Sequence, residues 1–233
     1  CDNVNLFNKS SNLLMIKNII FDFDGVLVDS EKLVGRAFAQ YLVDRNIPFS
    51  EEEFALYAGK KTIHIIQELS VKFNIENQKN FFDDIMKIAL DIFVNELTPV
   101  PGAENFLKSS NCNFFIGSNS MKERILIGLK KVNFESYFKE DKIFSFDMVS
   151  NPKPEPDVYL KVIETYKLNK DETIIIEDSA VGVTAGVKAG VKVIGFTAGG
   201  HWFPHRSQQE LLDAGASLII DSYIDLSKKI IDL

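Results

Sequence analysis

The chain reads as an α/β protein: a doubly wound parallel sheet with an all-helical block inserted after its first strand. Three observations carry that reading. From Pro99 onward, short apolar runs alternate with helical patterns, as strands buried on both faces require. Between about Gly35 and Thr98 helical periodicity is present and no convincing strand is. The first strand-like run, Asn18-Ile19-Ile20-Phe21, leads straight into Asp22-Phe23-Asp24-Gly25, two carboxylates and a glycine turn at the place where ligands of such sheets bind.

Residues 1–14, rich in Asn and Ser, are expected to form a peripheral arm, and Met15-Ile16-Lys17 introduces the first strand. Residues 30–46 read as a helix with Ser30 at its start and Glu31 in its first turn. Ile66, Leu69 and Phe73 recur at helical spacing. So do Phe81, Ile85, Ile88 and Ile92 beside Phe82, Met86, Ala89 and Phe93, a wide apolar stripe that suits a small bundle. After the punctuation of Pro99-Val100-Pro101-Gly102, strands are expected over 113–117, 142–144, 173–176, 191–196 and 217–220. Helices are expected over 121–132, 157–166 and 179–189. The division that follows is a main domain formed by 15–34 and 99–233, with 35–98 as a helical cap.

At 233 residues, with 45% hydrophobic residues and 19 Phe, the chain can bury a large core. A formal net charge of −7 disfavours a nucleic-acid or anionic-membrane partner held by charge. No apolar stretch is long enough to cross a bilayer. Cys1 and Cys112 make no disulfide framework, and no Cys/His spacing suggests structural zinc. The expected setting is the cytoplasm, and the expected assembly a monomer or weak dimer with no nucleic acid or membrane partner.

Four strand ends or loops carry reactive groups. The first gives Asp22 and Asp24, and the second ends in Ser118-Asn119 as a helix opens. Asn151-Pro152-Lys153-Pro154-Glu155-Pro156 sets one lysine among three prolines. Ile174-Ile175-Ile176-Glu177-Asp178-Ser179 closes an apolar strand on a second acidic pair. Carboxylates in apolar surroundings repel one another and lose hydration, so a strand kept only for packing avoids them; a divalent cation removes that penalty. A phosphoryl group suits the set. Asp22 and Asp178 would hold Mg²⁺ with the Asp24 carbonyl, Ser118 and the following amides would bind phosphate oxygens, and Lys153 would neutralise the transferring group. Asp22 can attack phosphorus while Asp24 protonates the leaving oxygen.

These four motifs, with Asp22-Phe23-Asp24-Gly25-Val26-Leu27-Val28-Asp29-Ser30-Glu31 first and Lys153-Pro154-Glu155-Pro156-Asp157 third, resemble in order those of the haloacid-dehalogenase-like hydrolase superfamily. The helical insertion is similar to the cap of its beta-phosphoglucomutase and phosphoglycolate-phosphatase branch. The resemblance implies Mg²⁺-dependent phosphatase chemistry on a small phosphomonoester, a sugar or sugar-acid phosphate, through an aspartyl-phosphate. Asp22, Asp24, Ser118 and Lys153 would be catalytic. Asp22, Asp24 and Asp178 would form the metal site, with Glu177 a direct ligand or the neighbour behind one. Substrate contacts are expected from Gly25, Ser118, Asn119 and Lys153, and from Lys60 and Lys61 in the cap.

A phosphomutase is the alternative within enzymes, and a non-catalytic metabolite-binding protein the alternative outside them. The mutases of this branch carry a His twelve residues after the nucleophile, where this chain has Val34, and a cap Arg where it has Thr62. Both departures favour hydrolysis. His64 is expected to pack within the cap. His201 and His205 are expected at the rim, touching cap or substrate.

Overall fold

The computed structural model describes residues 15–57, 62–203 and 206–232. Six parallel strands form one sheet in the order β3-β2-β1-β4-β5-β6. They are β1 (Asn18–Phe21), β2 (Asn113–Ser118), β3 (Ile143–Ser145), β4 (Thr173–Glu177), β5 (Lys192–Phe196) and β6 (Leu218–Ile220). Each begins and ends within two residues of where apolar runs place it. Around them lie α1 (Glu31–Val43), α2 (Glu51–Phe54), α3 (Thr62–Phe73), α4 (Gln78–Glu96), α5 (Ala103–Ser109), α6 (Lys122–Lys131), α7 (Asp157–Tyr166), α8 (Ala180–Lys188), α9 (Gln209–Asp213) and α10 (Tyr223–Lys229).

Period-two geometry explains why the strands are apolar throughout. Ile19, Phe21, Ile116, Ile174, Ile176 and Ile194 point into one core. Their neighbours Ile20, Phe115, Ile175 and Val193 point into another on the opposite face. A third apolar cluster joins Phe38, Tyr41 and Leu42 of α1 to Ile65, Ile66 and Leu69 of α3 and Phe81 and Ile85 of α4. This is the all-helical block, and every element from α1 to α4 is helical. Leu33 and Ala37 at the start of α1, with Ile92 and Phe93 at the end of α4, belong instead to the first core. The two long helices therefore tie the block to the sheet. His64 is exposed rather than packed in that cluster, because α3 turns Ile65, Ile66 and Leu69 inward and His64 falls off that stripe. Among the described residues, no helix is long and apolar enough to cross a membrane.

The strand order reverses between β1 and β4: the chain leaves β1 for β2 and β3 on one side, then crosses to β4 on the other. Open sheets of this kind bind ligands in the crevice at that reversal, outside the carboxyl ends. Asp22, Glu177 and Asp178 stand there.

Candidate active site

Asp22 continues β1 by one residue, its amide donating to the Ile176 carbonyl at 2.9 Å, so its side chain is fixed by the sheet ladder. The chain then turns sharply. Gly25 has φ +74°, where L side chains are strained, and its amide donates to Val28 at 2.8 Å. A Cβ there would overlap the Asp178 carboxylate. Gly182 does the same service for Glu177, whose Oε1 lies 1.7 Å from where a Cβ would stand. Two glycines thus clear room for two carboxylates, one from the turn after β1 and one from α8.

Lys153 is the hub of the floor. Its Nζ donates to Asp22 Oδ1 at 2.8 Å and to Glu177 Oε1 at 2.6 Å, and it is almost wholly buried. The loop that carries it is clamped from β2: Asn119 Oδ1 accepts from the Lys153 amide at 2.9 Å, and Asn119 Nδ2 donates to the Lys153 carbonyl at 3.2 Å. Glu177 is fully buried and satisfied on both oxygens, accepting further bonds from the Tyr159 hydroxyl at 2.7 Å and from Ser179. Ser118 is buried at the end of β2 and borders the same cleft of about 300 Å³ as Asp22, Asp24, Lys153 and Asp178.

One ammonium faces several acids, and the electrostatics follow. Burial pushes Asp22 well above the ordinary carboxylate range; Lys153 opposes this, and repulsion from Glu177, Asp178 and Asp24 adds to it. Asp178 is raised for the same reasons, burial first and then Glu177. Lys153 remains protonated: burial disfavours its charge, but Asp22 and Glu177 outweigh that and raise it. Asp22, Glu177 and Asp178 each offer an oxygen within 4.8 Å of the others. Buried acids this close, with excess negative charge, fit a hard divalent cation. Because Glu177 already uses both oxygens, Asp22 and Asp178 are the better placed to hold one.

Asp24 is treated differently from its neighbours. Burial works to raise it, but Arg124, Ser120 and Ser30 prevail and hold it below the usual range. Ser30 and Ser120 each donate to it at 2.5 Å, and Arg124 Nη1 reaches its two oxygens at 2.6 and 2.8 Å. The expected helix cap is therefore corrected: Ser30 makes no capping bond to α1, because its hydroxyl is spent on Asp24.

His201 lies inside the site rather than at its rim, with Nε2 2.9 Å from Asp178 Oδ2. Burial holds it below its ordinary value, against the raising influence of Glu31. Asp29 places it there: its Oδ1 accepts from the Gly200 amide at 3.0 Å, tying the loop after β5 to the turn after β1. Glu31 is exposed as a residue yet lines the cleft. The protein packed around its carboxyl, with repulsion from Asp24 and Asp178, pushes it up to about 6.

The structure thus gathers Asp22, Asp24, Gly25, Ser118, Asn119, Lys153, Glu177 and Asp178 at one sheet edge. Lys60, Lys61 and His205 lie outside the described residues. Sequence reasoning passed over Arg124, Ser120, Tyr159 and Asp29. Arg124 gave little signal: it stands in the first turn of α6, four residues after Ser120, which precedes that helix. Tyr159 sits on an ordinary amphipathic helix and gave none.

A parallel α/β sheet with paired acids, a hydroxyl and a buried lysine at its carboxyl edge defines a hydrolase of the haloacid dehalogenase-like class. The chain belongs to that family, whose model, haloacid dehalogenase-like hydrolase, matches residues 19–196. It is 29% identical over 180 residues to the phosphorylated carbohydrates phosphatase of Thermotoga maritima, covering 76% of this chain and 82% of that one. It is 28% identical over 188 residues to the 6-phosphogluconate phosphatase of Escherichia coli, covering 80% and 85%. Among solved structures it is similar to a conserved haloacid dehalogenase-like protein of unknown function from Agrobacterium tumefaciens, with TM-score 0.82, 30% identity and coverage of 92% and 97%.

Proposed function

We propose that this chain is a Mg²⁺-dependent phosphatase of small phosphorylated metabolites, sugar or sugar-acid phosphates, working in the cytoplasm. The observation that carries this is the Asp22 carboxylate held 2.8 Å from buried Lys153, beside Asp178 and open to a cleft. The phosphatase names of two relatives support the reaction class.

Asp22 and Asp178, with the Asp24 carbonyl, would hold the cation. When bound, Mg²⁺ offsets the repulsion among these acids and polarises phosphoryl oxygens. Lys153 and the Ser118 hydroxyl bind the oxygens of the transferring group, and Glu177 and Tyr159 keep Lys153 in line. Asp22 forms an O–P bond as the ester P–O bond breaks, and the leaving alkoxide takes a proton from Asp24. Water then attacks the aspartyl-phosphate, returning a proton to Asp24 and releasing inorganic phosphate. Held as a carboxylate at rest, Asp24 is ready for that second half. It gives the leaving-group proton after taking one from solvent as substrate binds, and the attacking water restores that proton in the second half. Val34, where the mutases have an imidazole, lines the space between helical block and sheet, which favours water as acceptor.

The test is phosphate release from an aryl phosphate and from a panel of sugar and sugar-acid phosphates with Mg²⁺. Wild type should release phosphate, and Asp22→Asn should abolish release while remaining folded. Full turnover by Asp22→Asn removes Asp22 as nucleophile. Conversion of a hexose 1-phosphate to its 6-phosphate instead of phosphate release would establish the mutase.

A further inference from the structure

Arg124 uses one nitrogen where it has three. Nη1 donates to both Asp24 oxygens and, at 2.7 Å, to Ser120 Oγ. Among the described residues, nothing accepts from Nε or Nη2. The guanidinium lies over the Phe93 ring, 4.2 Å from its centroid, so its plane is set by α4 as well as by Asp24. It borders a cavity of about 630 Å³ between the sheet and the helical block, walled also by Thr62, Met86 and Leu90, and opening onto Asp24. Its side chain is 35% exposed and lines that cavity.

Holding Asp24 ionised needs a positive charge, which a lysine would supply. A planar fork, fixed in orientation and left half unbonded, is suited to a second planar anion. We propose that Arg124 is a specificity-determining residue that receives a carboxylate on the substrate, making phosphorylated hydroxy acids the preferred class. The proposal rests on the phosphatase reading and deepens it. Because the same guanidinium bonds Asp24, the acid that serves the leaving oxygen, a carboxylate it receives stands within a few carbons of the ester. Glu31, on the same cavity, opposes a dianion more than a monoanion, which favours a carboxylate over a second phosphate.

The matched pair that tests this is 3-phosphoglycerate and glycerol 3-phosphate, which differ only by carboxylate against hydroxymethyl. With Mg²⁺, wild type should favour the acid by about tenfold or more in kcat/KM, the worth of one charged bidentate contact. Arg124→Met keeps the stem on Phe93. It should bring that ratio close to one, mainly through KM, whereas a mere brace for Asp24 would slow both esters alike and leave the ratio intact. If that variant fails to fold, Arg124→Lys, a point charge without the fork, should cut the preference severalfold. No preference in wild type, or a ratio that survives both substitutions, overturns the proposal.

An aryl phosphate run in parallel reports on the phosphatase reading by itself. Should no ester turn over, calorimetric affinities of Asp22→Asn and Asp22→Asn/Arg124→Met for the two three-carbon compounds decide. Tighter binding of the acid that is lost with Arg124 supports the assignment, and equal or absent binding overturns it.

Discussion

A Cβ on Gly25 would lie 1.8 Å from Oδ2 of Asp178, so the turn after β1 and the end of β4 share a space that only glycine leaves open. The same Cβ would come within 2.8 Å of His201. Asp178 cannot yield by moving its backbone, which follows a central strand of the sheet. Its side chain must rotate out of its present position.

Gly25→Ala is therefore expected to damage the site more than the fold. The left-handed backbone costs roughly 1–2 kcal/mol for alanine, while rotation of Asp178 takes one of the two best-placed ligands from the proposed cation. Phosphate release should fall at least about 100-fold, and the rise in melting temperature on adding Mg²⁺ should shrink or vanish. A variant with wild-type activity and a full Mg²⁺ shift would show that this close approach is immaterial.

The acids of the floor make stability pH-dependent in a direction opposite to that of ordinary salt-bridged carboxylates. Asp22 and Asp178 have folded-state values raised above their unfolded ones, so the folded protein binds more protons. Their favourable contribution is complete below the unfolded value of about 3.8 and is lost as pH rises through the raised folded values. Metal-free protein should lose stability as pH climbs through that interval, by chemical denaturation at a series of pH values. Saturating Mg²⁺ should flatten the curve, because a cation stabilises the ionised forms. A metal-free profile rising across the same interval would contradict the assignment.

Asn119 bonds the Lys153 backbone with both its amide oxygen and its amide nitrogen, so its effect on catalysis is expected to run through that lysine. Asn119→Ala should lower kcat about tenfold with little change in KM, and cost roughly 1–2 kcal/mol of stability for two lost hydrogen bonds. A rise in KM at constant kcat would assign Asn119 instead to direct contact with substrate.

Much of this site was legible because its residues break the rules of the elements that carry them. Asp22 and the pair Glu177-Asp178 end strands otherwise filled with Ile and Phe, and Lys153 sits alone among prolines. Strands of a doubly wound sheet are apolar on both faces, so each acid stands out. What the sequence hid were residues that look ordinary where they lie. Arg124 and Tyr159 occupy amphipathic helices, where a charged or aromatic residue is common. Asp29 and Gly200 meet only through the fold, and that contact carries His201 to Asp178. The short helices α2, α5, α9 and α10 also escaped, since each has too few turns for its period to show.

Lys153 offers the sharpest test of the charge balance. Its removal leaves Glu177 fully buried with only Tyr159 and Ser179 as partners, and takes from Asp22 the cation beside it. Losing one member of a buried ion pair costs about 3–5 kcal/mol. Lys153→Met should approach that loss at pH 8 in urea unfolding, and should lower phosphate release at least about 100-fold. Lowering the pH ought to restore part of the stability, because Asp22, raised by burial and no longer opposed by the ammonium, takes a proton and needs no cation. The gap between wild type and variant should accordingly narrow from pH 8 to pH 5. A gap that stays constant or widens over that range would mean that packing of the lysine stem, rather than its charge, is what the floor of the site requires.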